Sequence, residues 1–113
     1  MKIKNAIIES TMLGREDHGI LTFMIRVRFD SCVSVGIGGY ALDYYNKELE
    51  KRVYSVKSLE AISNILDVVG VDRWENLVGK HIRIKDNGLG SNIDEIGNLM
   101  EDKWFNFREF FSD

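Results

Sequence analysis

Two stretches bring together polar, aromatic and conformationally free residues: Glu16-Asp17-His18-Gly19 and Gly36-Ile37-Gly38-Gly39-Tyr40-Ala41-Leu42-Asp43. Glu16, Asp17 and His18 are residue types that move protons in general acid–base catalysis. Neighbours on a strand point in different directions, however, and His18 and His81 are the only imidazoles. No HxH, HExxH or Asp-rich spacing is present to hold zinc or calcium. The stretch reads either as a hairpin turn in which Asp17 accepts backbone N–H groups or as a contact for a ligand or partner. The glycine-rich stretch is not a P-loop, because it lacks the Lys-Ser/Thr ending and the strand–loop–helix context. Its backbone N–H groups can line a concave turn that suits an anion. In that arrangement Tyr40, with Tyr44 and Tyr45, stacks on a base, and Arg26 and Arg28 meet a phosphate. The competing reading is a strand that bends sharply, with half-buried tyrosines. Ser10, Thr22, Ser31 and Ser34 have no His and Asp partners in a nucleophile-elbow context. No catalytic residue, metal or cofactor is expected. The candidate ligand-binding residues are Glu16, Asp17, His18, Arg26, Arg28, Gly38, Gly39, Tyr40 and Asp43.

These residues need a scaffold, and 113 residues predict one domain over 1–113 with a core large enough to stand without a disulfide or a structural metal. Hydrophobic residues at 44% and charged residues at 29% are ordinary for a globular chain. A net charge of -3 argues against direct nucleic-acid binding by phosphate neutralisation. Cys32 is the sole cysteine; its place at the start of an alternating strand predicts a buried, inert thiol. The N-terminal residues carry no signal-peptide pattern and no apolar run reaches the ~20 residues of a membrane span, so the host cytoplasm is the expected location.

Residues 2–13 read as a first strand, followed by a polar connection over 14–19. Leu21, Phe23, Ile25, Val27 and Phe29 alternate with Thr22, Met24, Arg26 and Arg28 as a half-buried strand does. Asp30-Ser31 turns the chain into a third strand, in which Val33, Val35 and Ile37 alternate with Ser34, Gly36 and Gly38. Glycines at such positions indicate a bulge or the close approach of a ligand or another backbone. Residues 40–57 read as a short helix or a flap, with a short edge strand at 53–56 and solvated charges at 47–52. Ser58 is placed as the cap of an amphipathic helix whose core face is Leu59, Ile62, Ile65, Leu66 and Val69, ending at Gly70. A capping-box pattern predicts a short second helix over 72–78. A strand follows at 81–85 with Ile82 and Ile84 inward, then a turn at 86–88 prolonged by Leu89-Gly90-Ser91, and a last strand at 93–100. Trp74 and Trp104 read as core anchors. The tail, with five aromatics between Trp104 and Phe111, is placed either on the domain or in a subunit contact. The fold class expected is α+β: a small single domain with an antiparallel, curled sheet of about five strands, one main helix and one short helix.

Glu16-Asp17-His18-Gly19-Ile20-Leu21-Thr22, Gly38-Gly39-Tyr40-Ala41-Leu42-Asp43, Val71-Asp72-Arg73-Trp74-Glu75-Asn76-Leu77-Val78-Gly79-Lys80 and Ile96-Gly97-Asn98-Leu99-Met100-Glu101-Asp102-Lys103-Trp104-Phe105 run through nearly the whole chain. Together they resemble a widespread family of short bacteriophage and prophage proteins. Segment 44–56 and the Val33-Ser34-Val35 approach depart from that pattern. The resemblance implies an accessory phage protein that binds without chemistry and counteracts a host defence. One form would sequester a nucleotide-type signal through the 16–19 and 36–43 surface, as a homo-oligomer. The alternative is a protein-binding inhibitor of a host factor, of the anti-CRISPR kind. An enzyme acting on a nucleotide is the third reading and has the fewest residues to support it.

Overall fold

The computed structural model describes residues 2–88 and 92–112. The turn prolongation expected at Leu89-Gly90-Ser91 lies outside them. The strands are β1 (Lys2–Glu16), β2 (Ile20–Phe29), β3 (Val33–Ala41), β4 (Asp43–Asn46), β5 (Lys51–Tyr54), β6 (His81–Asp86), β7 (Glu95–Gly97) and β8 (Trp104–Asn106), and the helices are α1 (Val56–Val69) and α2 (Phe107–Phe111). Six strands form one antiparallel sheet in the order β3-β2-β1-β6-β7-β8, and β4 and β5 pair as a separate hairpin. The α+β class stands. The expected strand count does not, for two physical reasons. Residues 43–54 form a hairpin rather than a helix or flap. The expected strand at 93–100 breaks after Gly97, where the Asn98 side chain accepts the Met100 and Glu101 N–H groups and turns the chain back into β8.

The alternation of β2 puts Phe23, Ile25, Val27 and Phe29 into the core, and therefore Met24, Arg26 and Arg28 on the opposite face. β1 carries a bulge at Glu9: Ile8 pairs with Val27 and Ser10 with Arg26, so β1 has one extra residue. A bulge bends its strand and resets the alternation. Ala6 and Ile8 face the core before it, whereas Thr11 and Leu13 stand opposite Ile25 and Phe23 after it. One strand thus serves two neighbours, β6 over residues 2–7 and β2 over 7–16. Because Glu16 still pairs with Ile20, the loop expected over 14–19 contracts to Asp17, His18 and Gly19.

α1 starts a turn earlier than its sequence predicts. Ser55 is the N-cap and accepts the Ser58 N–H, while the Ser58 hydroxyl donates to the Leu42 carbonyl. Gly70, at φ 89°, ends the helix in the left-handed conformation that glycine adopts freely. Ala61, Ile65, Val68 and Val69 are its buried residues. Leu59, expected on the core face, is 73% exposed. The short helix expected over 72–78 is a single 3-10 turn, Trp74–Asn76, with no side-chain cap.

Of the two placements open to the tail, the structure has the first: α2 folds back on the domain. Phe107 is fully buried, and Phe111 stacks on Tyr40 at 4.5 Å, which draws the end of the chain over β2 and β3. Trp74 meets Phe23 edge-on at the margin of the core. Trp104 lies outside it, held by Arg83 and Lys85 at 4.8 and 4.6 Å from its ring. Cys32 is exposed in the β2–β3 turn, contrary to the buried thiol expected, because β3 begins one residue later. Among the described residues no helix is long and apolar enough to cross a membrane.

Candidate functional site

The β1–β2 hairpin tip carries the first candidate cluster. Asp17, His18 and Gly19 all have positive φ, at 49°, 69° and 81°, and Asp and His are among the few side chains that accept this region. Their side chains project into solvent, 87% and 93% exposed for Asp17 and His18, and lie 3.9 Å apart. That separation is too long for a hydrogen bond. Among the described residues no three His, Cys, Asp or Glu side chains converge to hold a metal ion.

The second stretch meets the first within one subunit. Glu16, Asp17, Gly39 and Ala41 line a depression of about 250 Å³ together with Met12 and Met24. β3 has one extra residue where 38–41 passes 22–24, a bulge that uses Gly38 (φ 122°) and Gly39 (φ 81°). The glycines are needed by the protein itself. A Cβ on Gly38 would lie 2.8 Å from the Phe23 ring and 2.9 Å from its carbonyl oxygen, and one on Gly36 would lie 2.8 Å from the Met24 sulfur. The ionisable groups bordering the depression are the carboxylates Glu16 and Asp17, which repel an anion. Arg26 and Arg28 lie on the same outer face but farther along β2, and Arg28 is 3.9 Å from Glu9.

Tyr40 and Asp43 are engaged in the fold. The Tyr40 ring stacks on Phe111 and Phe107, and its hydroxyl is pushed to a higher pKa first by burial and then by the Asp94 charge. Asp43 is buried, pairs with Arg52 at 2.8 Å and accepts the Leu21 N–H. The Arg52 guanidinium holds the Asp43 carboxyl below the usual carboxylate range, against the opposing effect of burial. Of the charges expected to be solvated over 47–52, Arg52 is therefore part of the scaffold.

A third surface is apolar. An apolar groove of about 580 Å³ runs between the β1–β2 hairpin, the end of β5 and the first half of α1. Leu13 and Leu21 form one wall and Val56, Leu59 and Ile62 the other, with Leu42 and Tyr54 between them. Among the described residues no charged side chain lines it, and its serines are already engaged: Ser55 caps α1 and Ser58 bonds Leu42. Val56 and Leu59 are each 73% exposed and Tyr54 is 65% exposed. The β4–β5 register pairs Asp43 with Tyr54 and Tyr45 with Arg52, so Tyr45 continues the same hairpin face as Tyr54.

Comparison with family models, with curated proteins and with solved structures gives no match.

Sequence reasoning missed this groove because helical periodicity makes Leu59 and Ile62 members of one stripe with Ile65 and Val69. The missed signal lies at the stripe's N-terminal end, where Val56 and Leu59 extend it a full turn before Ala61, the first buried residue of the helix. A stripe longer than its core contact leaves apolar surface in water.

Proposed function

We propose that this chain is a non-enzymatic binding protein whose partner is another protein, engaged through the groove between α1 and the β1–β2 and β4–β5 hairpins. The observation that carries this reading is the exposure of Val56 and Leu59, each 73%, on a concave surface that no charged side chain lines among the described residues. Keeping several large apolar side chains in contiguous exposure is unfavourable unless something covers them. Tyr45 and Tyr54 extend the surface along a hairpin, and tyrosine is a residue type enriched at protein interfaces. The partner that fits is an amphipathic segment presenting apolar side chains.

In the setting that the phage-family resemblance implies, this is an accessory protein of the host cytoplasm that disables a host factor by occluding it. The nucleotide-sequestering reading has less to draw on. Tyr40 is committed to the tail, Asp43 to Arg52, and the depression between the two stretches presents carboxylates rather than cations.

The test is a side-by-side pull-down from bacterial lysate with the wild type and with Leu59→Asp, run with a thermal-shift panel of mono-, di- and cyclic nucleotides. A protein retained by the wild type and lost with Leu59→Asp, at unchanged melting temperature and with a flat nucleotide panel, supports the proposal. A nucleotide at a hundred times its dissociation constant would add about 2.7 kcal/mol of stability. Such a shift, removed by His18→Ala or Arg26→Ala, overturns it. So does turnover of any nucleotide that His18→Ala abolishes.

A further inference from the structure

β3 is an edge of the six-stranded sheet, and among the described residues no strand pairs with its outer side. An open edge presents unpaired N–H and C=O groups to any strand that can reach them, and proteins ordinarily guard it with charge, proline or a bulge. Here the bulge lies at the far end, where 38–41 passes 22–24. The stretch Val33-Ser34-Val35-Gly36-Ile37 is left regular, and the whole of β3 contains neither a charged residue nor proline.

We propose that this edge is a self-association surface, where β3 pairs antiparallel with β3 of a second copy of this chain about a twofold axis at Val35. This goes beyond the partner-binding groove and uses a different surface. A twofold antiparallel pair sets residue 35 opposite itself, 33 opposite 37 and 34 opposite 36. In this chain that register is chemically self-consistent. Val33, Val35 and Ile37, the side chains turned to the core, meet Ile37, Val35 and Val33 of the second copy, and two half-covered valines on each side gain an apolar neighbour. On the outer face Ser34 meets Gly36 of the second copy, so the paired residues themselves bring neither a bulky nor a charged side chain to the junction. The β4–β5 hairpin could not pair with its own copy so easily, because residues 47–52 include Lys47, Glu48, Glu50, Lys51 and Arg52.

Two properties of the association follow. Five paired residues per strand bury less than a standard stable interface, so the dimer is reversible and concentration-dependent. Arg26 pairs with Gly36 and Arg28 with Ser34 within each subunit. Across the new junction Arg26 is therefore three strand spacings, about 14 Å, from Arg28 of the second copy. That distance exceeds the screening length at physiological salt but not at low salt, so self-association strengthens as salt rises to the physiological range.

Analytical ultracentrifugation over a concentration series, joined to oxidative cross-linking of Val35→Cys in a Cys32→Ser background, tests the proposal. Residues directly opposite in an antiparallel pair have Cα atoms about 4.5–5.5 Å apart, within the range a disulfide spans. The expected result is a monomer–dimer equilibrium, with Val35→Cys forming a covalent dimer far more readily than Leu59→Cys in the same background. Amide hydrogen exchange of wild-type 33–37, slowing as protein concentration rises, checks the pairing without any substitution. A chain that stays monomeric throughout, with 33–37 exchange independent of concentration, overturns the proposal. A dimer that leaves those amides unprotected, or one that cross-links no better through Val35→Cys than through Leu59→Cys, overturns it too.

Discussion

Asp43 and Arg52 stand 2.8 Å apart across the β4–β5 hairpin, and Asp43 also accepts the Leu21 N–H, which ties that hairpin to β2. Only 3% of the Asp43 side chain is exposed. The Arg52 guanidinium holds its pKa in the folded chain below the usual carboxylate range. A group depressed on folding contributes stability that is complete above its unfolded pKa and lost as pH falls through the folded one. Melting temperature should therefore fall as pH drops from about 5 towards 2. Asp43→Asn should be less stable than the wild type at pH 7 and show a shallower decline on acidification. Thermal unfolding of both proteins from neutral pH downwards checks this. Asp86, which Lys4 also holds low, leaves some acid dependence in the variant.

The Tyr40–Phe111 stack should report whether the tail is part of the folding unit. The rings are 4.5 Å apart and 11° from parallel. A double-mutant cycle with Tyr40→Ala and Phe111→Ala, followed by urea unfolding, should show a coupling of about 0.5–1.5 kcal/mol. Phe107→Ala, which empties a fully buried site, should cost about 3–5 kcal/mol. Zero coupling together with a neutral Phe107→Ala would mean that the tail does not dock as described.

Glycines of β3 that read alike in sequence should behave differently. At Gly38 an added Cβ meets Phe23, ring and backbone, at φ 122°. Strain and clash act together there, and Gly38→Ala should cost about 2–4 kcal/mol. At Gly36 the obstacle is the Met24 sulfur, the end of a flexible side chain that can move aside, so Gly36→Ala should stay within about 1 kcal/mol of the wild type. Chemical denaturation of the two variants compares them directly.

The meander was legible because β2 and β3 alternate cleanly, and the turn at Asp30-Ser31 was legible because Asp and Ser are turn-forming residue types; both take positive φ in the structure. Periodicity failed where one side chain redirected the backbone. Asn98 ends a strand that the apolar pattern continues, and the Glu9 bulge changes which face Leu13 occupies. The two polar stretches do meet, as Glu16 and Gly39 on one depression. What the sequence could not show is that Tyr40 and Asp43 find partners 71 and 9 positions away, in Phe111 and Arg52. Composition signals a polar or aromatic group; whether that group is free for a ligand is decided by contacts remote in the chain.

The groove makes the sharpest distinction between a residue kept for the fold and one kept for a partner. Ile65 is fully buried and Leu59 is 73% exposed, although both belong to the apolar stripe of α1. Ile65→Ala should cost about 2–5 kcal/mol through lost transfer energy and the cavity it leaves. Leu59→Glu removes little buried area and puts a favourable acidic residue in the first half of a helix, so it should fall within about 0.5 kcal/mol of the wild type. The same substitution places a charge inside an uncharged groove, so binding of the apolar dye ANS, measured by fluorescence on the native protein, should drop while the melting temperature holds. If Leu59→Glu instead cost as much as Ile65→Ala, Leu59 would be a core residue and the groove would be filled in solution. Stability unchanged with dye binding lost is the pattern of a surface held open for something else.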